Sequence, residues 1–428
     1  MDTTTIINKS LFFLGAGFSN HAGCKMSGDM LKSLEDIICN NSNAYFTEHE
    51  NETIKFLFSC LEYHAKWRSL ENYNKYPINT NIEELALLVR RIKNRENFLP
   101  YPVTGNWADK LIFLETKYKE TESALTGYNL FEKIEYTLKN QLLGEWLKIS
   151  DTSFLNPLDD FLEKNSSNQF LLELYTLNND LVIEEHFNTK KITPYRGFCS
   201  GEWRGLNYKP HPHEDNRINL YKLHGSMDWI RNTDGSVKEK DKYVASDSNN
   251  NEVEHDPFII FGHGTKIFSI EPFFSLIHNF NESLKSKSYF FVVGYSFFDP
   301  YINNLLFNAI LEAPNGNKKL IIVNPYFAKG PLNENNFIIH PQFGKILNDE
   351  DRETKIILTD YLENIQRNAF YSELPEFNIR QIPTESIYYL NIDTATFLKN
   401  YFKNSGELLS SLLEYFETAH EKDLPFNQ

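Results

Sequence analysis

The chain has 428 residues, enough to bury a large core and to form two or three domains. Its 41% hydrophobic and 24% charged content suit a globular enzyme, and 34 Phe with 23 Tyr call for aromatic-rich cores or interfaces. A net charge of -15, from 43 basic and 58 acidic residues, argues against autonomous binding to a nucleic-acid backbone.

The N-terminus MDTTTIINKS lacks a basic segment followed by an apolar one, so no signal peptide is expected. The first predicted strand is Ser10–Leu14, an apolar run ending at Gly15-Ala16-Gly17-Phe18-Ser19, with a helix expected from about Ser27. From about 40 to 166 the pattern is helical. Ile82, Leu85, Val89 and Ile92 form a stripe, opened by Thr80-Asn81 with Glu83-Glu84 completing a capping box, and Trp146-Leu147 close a later helical stretch. Further strands are predicted at 170–176, 219–223, 258–261, Tyr289–Val293 and 320–323. Several are unbroken hydrophobic strings, as expected of parallel strands covered on both faces. The segment from Asp228 to Val237 reads as a hairpin around Asp234-Gly235, and 246–256 is polar and loop-like. After Asp299, the residues Ile302, Leu305, Leu306, Ala309 and Ile310 keep helical spacing until Pro314-Asn315-Gly316. A polar stretch at 348–353 and a terminal helix carrying Leu408, Leu409, Leu412, Leu413 and Phe416 complete the chain.

This rhythm predicts an α/β fold: a Rossmann-like, doubly wound, mainly parallel sheet with a large helical insertion and a C-terminal, mostly helical extension. The expected division is an α/β domain over 1–335, interrupted at about 40–166, and an extension over 336–428 for oligomerisation or partner contact. The longest apolar runs are too short to cross a bilayer, so no membrane contact is expected. Four scattered cysteines (Cys24, Cys39, Cys60, Cys199) form no CxxC pair and fit a reduced cytoplasm.

Five motifs carry candidate chemistry. Gly15-Ala16-Gly17 after a strand could admit phosphate oxygens to backbone N–H groups, with Ser19 adding a hydroxyl; it reads equally as a βα turn needing positive φ. The dinucleotide spacing GxGxxG is absent, because Asn20 stands where the third glycine would and the next is Gly23. Asn178, Asn179 and Asp180 follow a strand, where open α/β sheets bind ligands, though Asn and Asp also cap helices. His224 follows a strand and precedes a glycine, which suits either a general base at a cleft or a hydrogen-bonded core histidine. Gly294 and Ser296 end another strand, and Asp299-Pro300 look like the N-cap and first residue of a helix. Asn324-Pro325 end the last. The His211-to-Asp215 segment has two histidines and two acids, but their spacing in a loop does not suit a metal.

In order, GAGFS, LNND, KLHGS, GYSFFDP and IIVNP resemble the sirtuin-like NAD-binding domain, in particular its bacterial branch of anti-phage defence effectors. NIEELALLV and FGHGTKIF resemble further segments of that branch. The likeness covers roughly 10–326. It implies that Gly15, Ala16, Gly17 and Ser19 cradle the phosphates of NAD+, and that Asn178 holds the nicotinamide ribose and positions water. It further implies that Asp180 contacts the carboxamide and that His224 is the base. Gly294 and Ser296 would line the phosphate and adenosine side and Asn324 would lie near the adenine ribose, with Asp299 either near the nucleotide or only a cap. NAD+ is then the substrate, and Asn178, His224 and Asp180 the catalytic set. Sirtuin deacylases carry a zinc module of two CxxC pairs, which this sequence cannot supply, so no zinc is expected. The usual Gly-x-Pro is replaced by Gly23-Cys24-Lys25, and Asn179 stands where a larger residue is commoner.

The resulting expectation is an NAD+ hydrolase releasing nicotinamide and ADP-ribose, the effector of a bacterial anti-phage system. It would act as a homo-oligomer with a protein partner such as a HerA-type ATPase or an Argonaute-like sensor. The alternatives are an NAD-dependent deacylase or ADP-ribosyltransferase, or a non-catalytic sensor of NAD or ADP-ribose.

Overall fold

A computed structural model describes residues 3–39, 45–71, 80–95, 107–166, 170–206, 215–240, 257–261, 270–313, 317–325, 338–340, 344–347, 387–390 and 392–402. The sequence readings at 246–256, 314–316, 348–353, 408–416 and most of FGHGTKIF and of the His211 segment lie outside them.

Fourteen strands are described: β1 (Ser10–Leu14), β2 (Leu172–Thr176), β3 (Pro194–Tyr195), β4 (Phe198–Cys199), β5 (Glu202–Trp203), β6 (Asp215–Lys222), β7 (Gly225–Arg231), β8 (Val237–Glu239), β9 (Pro257–Ile259), β10 (Tyr289–Val293), β11 (Lys319–Val323), β12 (Ile338–His340), β13 (Gly344–Leu347) and β14 (Ile387–Leu390). Nine form one sheet, in the order β12-β13-β14-β11-β10-β1-β2-β6-β3. From β14 through to β3 all neighbours are parallel, while β12 and β13 add an antiparallel edge. The expected doubly wound, mainly parallel sheet is therefore found.

The central strands are buried along their whole length because both faces are covered. Alternation assigns their side chains to two cores. Phe12, Leu14, Leu174, Phe291, Val293 and Ile321 meet the helices Asn156–Lys164, Val182–Thr189 and Thr394–Tyr401. Leu11, Phe13, Tyr175, Phe290, Val292 and Ile322 meet Phe273–Ser286 and Pro300–Leu311. Fully burying one such side chain contributes about 1.5–3 kcal/mol.

The insertion folds as helices with their own core, among them Glu48–Glu71, Ile82–Lys93 and Trp107–Thr121. Met227 and Ile259 belong to that core too, so the insertion rests on a second sheet of order β4-β5-β8-β7-β9. This sheet is antiparallel and contains the Asp234-Gly235 hairpin between β7 and β8. The apolar run predicted at 258–261 joins it as β9, outside the parallel sheet, pairing with β7.

The C-terminal segment, expected to be mostly helical, supplies strands as well as the Thr394–Tyr401 helix. Strand β14 lies parallel to β11, and Phe397, Leu398, Tyr401 and Phe402 are buried in the first core. The unpaired edge of β11 and an exposed apolar face of the sheet account for this, since both need covering.

Candidate active site

The order of the parallel sheet reverses between β1 and β10. The chain runs outward from β1 through β2 to β6, and later lays β10 on the other side of β1. Beyond the carboxyl ends of the strands, a crevice opens at such a reversal.

Two glycine turns interlock there. Gly15 N donates to Val293 O and Gly17 N to Gly294 O, both at 2.9 Å. A Cβ on Gly15 would stand 2.5 Å from Tyr295 Cα, and one on Gly17 2.9 Å from Gly294 O. At Gly294, where φ is +64, a Cβ would stand 2.5 Å from Phe18 N. Close approach thus dictates glycine at 15 and 17; the positive φ considered for this turn is not its reason, for Gly15 has φ -101. From the next strand, Asn178 Nδ2 donates to Gly15 O at 2.8 Å and to Ser19 Oγ at 2.9 Å, tying the end of β2 to the loop.

Asp180 is buried and accepts hydrogen bonds from Val182 N, at 3.1 Å, and from the Ser19 hydroxyl. Burial holds its carboxyl above the ordinary carboxylate range, against the pull of Lys222. The Lys222 ammonium is buried with it, donating to Asp180 O and, at 3.1 Å, to Glu184 Oε1. Arg196, in the link from β3 to β4, forks onto both oxygens of Asp228 on β7 at 2.9–3.0 Å. Burial alone would raise the Asp228 carboxyl, but Arg196 and Lys222 bring it below its ordinary value.

His224 sits in the turn from β6 to β7. Its carbonyl accepts from Ile260 N at 2.7 Å and from Asn179 Nδ2 at 2.9 Å. Gly225 has φ +81, and a Cβ there would stand 2.2 Å from Phe258 O, so only glycine can follow His224. The imidazole Nε2 lies 3.3 Å from Asp299 Oδ2. The other Asp299 oxygen, Oδ1, caps the Pro300–Leu311 helix, accepting from Tyr301 N at 2.9 Å and Ile302 N at 3.1 Å. Tyr295 Oη accepts from Asp299 N at 3.2 Å and steadies the cap.

These groups surround a cleft of about 340 Å³. Of the residues singled out in the sequence, Gly15, Ala16, Ser19, Asn178, Asp180, His224, Ser296 and Asp299 line it. Gly17 and Gly294 are the backbone contact between the turns and do not line it. Asn324 does not reach it either: its Nδ2 donates to Tyr295 O at 3.3 Å, and its N–H goes to Leu390 O at 3.2 Å.

Sequence reasoning did not foresee the part of the lining that the insertion supplies. Thr80, Asn81, Ile82 and Glu83, at the start of one of its helices, line the cleft, with Met30, Leu143 and Leu147. The signal was the capping box, which is present: Asn81 Oδ1 accepts from Glu84 N at 3.0 Å and Glu84 Oε2 from Asn81 N at 3.3 Å. Cys24 and Lys25 also line the cleft. Burial, with Asp180 and Glu185, pushes the Cys24 thiol up to about 12, so it is inert as a nucleophile. Among the described residues, no group of three or more His, Cys, Asp or Glu could hold a metal ion, and no helix is long and apolar enough to cross a membrane. The arrangement can therefore hold a polar ligand against a glycine floor, beside an amide, a buried carboxyl and an imidazole–carboxylate pair.

No curated protein matches the chain. Solved structures similar to it include a mutant Sir2 homologue bound to 2′-O-acetyl ADP-ribose, at 13% identity and a TM-score of 0.35. Two other mutant Sir2 homologues bound to ADP-ribose score 0.32 and 0.31, at 10% and 11% identity. Each covers 88% of this chain and 100% of its own. At these scores they add nothing to the assignment of the site. The family model of the SIR2-like domain matches residues 172–340, the stretch that supplies Asn178, His224 and Asp299.

Proposed function

We propose that the chain is an NAD+ glycohydrolase, cleaving the bond between nicotinamide and ribose to give nicotinamide and ADP-ribose. The observation that carries this reading is the meeting of Ser19, Asn178, His224 and Asp299 in one crevice at the reversal of the sheet. The SIR2-like match over three of those residues supports it.

Nicotinamide leaves a cation as a neutral ring, so departure needs no acid, and the ribosyl centre gains oxocarbenium character. The protein must hold the pyrophosphate, fix the ribose and keep a water near C1′; positioning of this kind supplies up to about 7–11 kcal/mol of a barrier. Gly15 and Ala16 line the cleft where the pyrophosphate would lie, but the Gly15 and Gly17 N–H groups are spent on Val293 O and Gly294 O and do not serve as the phosphate donors expected of them. Asn178 already spends its Nδ2 on Gly15 and Ser19, so its Oδ1 is the atom to accept from a ribose hydroxyl or water. His224 takes a proton from one of these. Asp180 is enclosed and held by Val182 and Ser19, which gives it a supporting part in shaping the pocket.

The resemblance of the ordered motifs extends the proposal to an NAD-depleting effector of bacterial antiviral defence, held in check by assembly or by a partner of the HerA or Argonaute type. Purified protein, alone and with the product of a neighbouring gene, should convert NAD+ to ADP-ribose on chromatography. His224→Ala should lower the rate by about 10²–10⁴-fold with an unchanged circular dichroism spectrum. Full activity in that variant would sink the assignment, and O-acetyl-ADP-ribose or modified protein among the products would favour a deacylase or transferase.

A further inference from the structure

We infer that Asp299 is a positioning residue for His224, and that one carboxylate both caps a helix and fixes the protonation of the base. The proposal rests on the glycohydrolase reading for its activity but not for its geometry.

The sequence Asp299-Pro300 is fully accounted for by helix capping, and one oxygen does that task alone. Oδ1 takes both helix N–H groups, from Tyr301 and Ile302. The second oxygen is turned the other way, to 3.3 Å from His224 Nε2. Both side chains are nearly enclosed, with 12% and 11% of their surfaces exposed, so the contact is shielded from the screening that weakens exposed pairs. Neither partner is free to drift. His224 is held through its carbonyl by Ile260 and Asn179, and its ring is followed by a glycine that nothing larger can replace. Asp299 is held by its two cap bonds and by Tyr295, which is itself wedged against the Gly15 turn.

Acting as a charge 3.3 Å away, a carboxylate beside Nε2 favours a proton on that nitrogen. In the neutral imidazole the lone pair then falls on Nδ1, so Nδ1 is the atom that accepts the proton in the reaction. The developing imidazolium is stabilised by the same carboxylate, whose charge stays where it is. No covalent step is involved: one proton moves from a ribose hydroxyl or water to Nδ1, and the Nε2 proton remains in place. The arrangement also couples the base to the Pro300–Leu311 helix, since a displacement of that helix start moves Oδ2 away from the ring.

The test separates the cap from the pairing. Asp299→Ser keeps a preferred N-cap residue but is too short to reach the ring, and Asp299→Asn keeps the cap and the size while losing the charge. Both should unfold at the temperature of the native chain. Nitrogen-15 spectra of the full chain labelled at histidine, with the His224 signal identified by its loss in His224→Gln, report the tautomer without any substrate. The native protein should show the Nε2–H form, and Asp299→Ser a mixture. In turnover, Asp299→Ser should lower kcat for NAD+ by at least about tenfold with KM nearly unchanged, a loss of general-base efficiency and not of binding. An Nδ1–H form in the native chain, or an identical tautomer in Asp299→Ser, overturns the proposal. A native chain that consumes no NAD+ but shows the tautomer change sinks the glycohydrolase reading and leaves the pair supported.

Discussion

Gly15 and Gly28 both belong to the segment that opens the site, yet they should respond oppositely to one added methyl group. At Gly15 the new Cβ meets backbone, Tyr295 Cα at 2.5 Å and Gly294 O at 2.6 Å, with no flexible side chain to give way. Gly15→Ala should therefore cost about 1–3 kcal/mol in urea unfolding and abolish NAD+ turnover. At Gly28 nothing lies within 4 Å, and the residue is in the Ser27–Cys39 helix. Gly28→Ala should be neutral or stabilise by up to about 1 kcal/mol, because alanine loses less entropy in a helix. Equal losses in the two variants would remove the steric account of the floor. The residue types at 15 and 17 were legible in the sequence, but the reason for them was not, because the atoms they must clear belong to a turn almost three hundred residues away. His224 and Asn178 were legible for a related reason: polar residues at the ends of apolar strands have few tasks. The second oxygen of Asp299 was hidden because capping already satisfied the local pattern.

At the scale of elements, the central strands could be read because both of their faces are buried, which turns the usual alternation into unbroken apolar runs. The helix Ile82–Lys93 could be read from its stripe and capping box, but its place beside the cleft could not, since no local signal says what a helix start faces. That placement has a kinetic consequence. Asn81→Ala removes an N-cap bond and should cost about 1 kcal/mol of stability. Because Asn81 lines the cleft, KM for NAD+ should rise while kcat holds. Steady-state kinetics that show the reverse, a fall in kcat at constant KM, would place Asn81 in the chemistry. The short strands β3, β4 and β5 and the inner strand β14 escaped the sequence reading. Two or three residues cannot display a period, and β14 is recognisable only once β11 is seen to lack a neighbour.

For the whole molecule, one buried ion pair bears on how the fold meets acid. Arg196 is buried against Asp228, whose carboxyl lies below its ordinary value of 3.8. A depressed carboxyl contributes stability that is complete above that value and is lost as the pH falls through the folded one. Removing one partner of a buried pair costs about 3–5 kcal/mol, so Asp228→Asn should be markedly less stable than the native chain at pH 7. Below pH 3.8 the native pair weakens too, and the gap between the two proteins should narrow in denaturant titrations. A gap of the same size at both pH values would show that the pair does not govern the acid limb.

The interlock of Gly15, Gly17 and Gly294 also bears on the entropy of association. Their backbones are locked together by contacts that leave no room for side chains, so the disorder of the floor is surrendered during folding and none is left to lose when a ligand arrives. Variation in affinity among ligands or partners is then expected from the rest of the lining, part of which the insertion supplies. Calorimetry on variants of the two parts should divide along that line, with the entropy of binding responding to the rest of the lining and not to the floor.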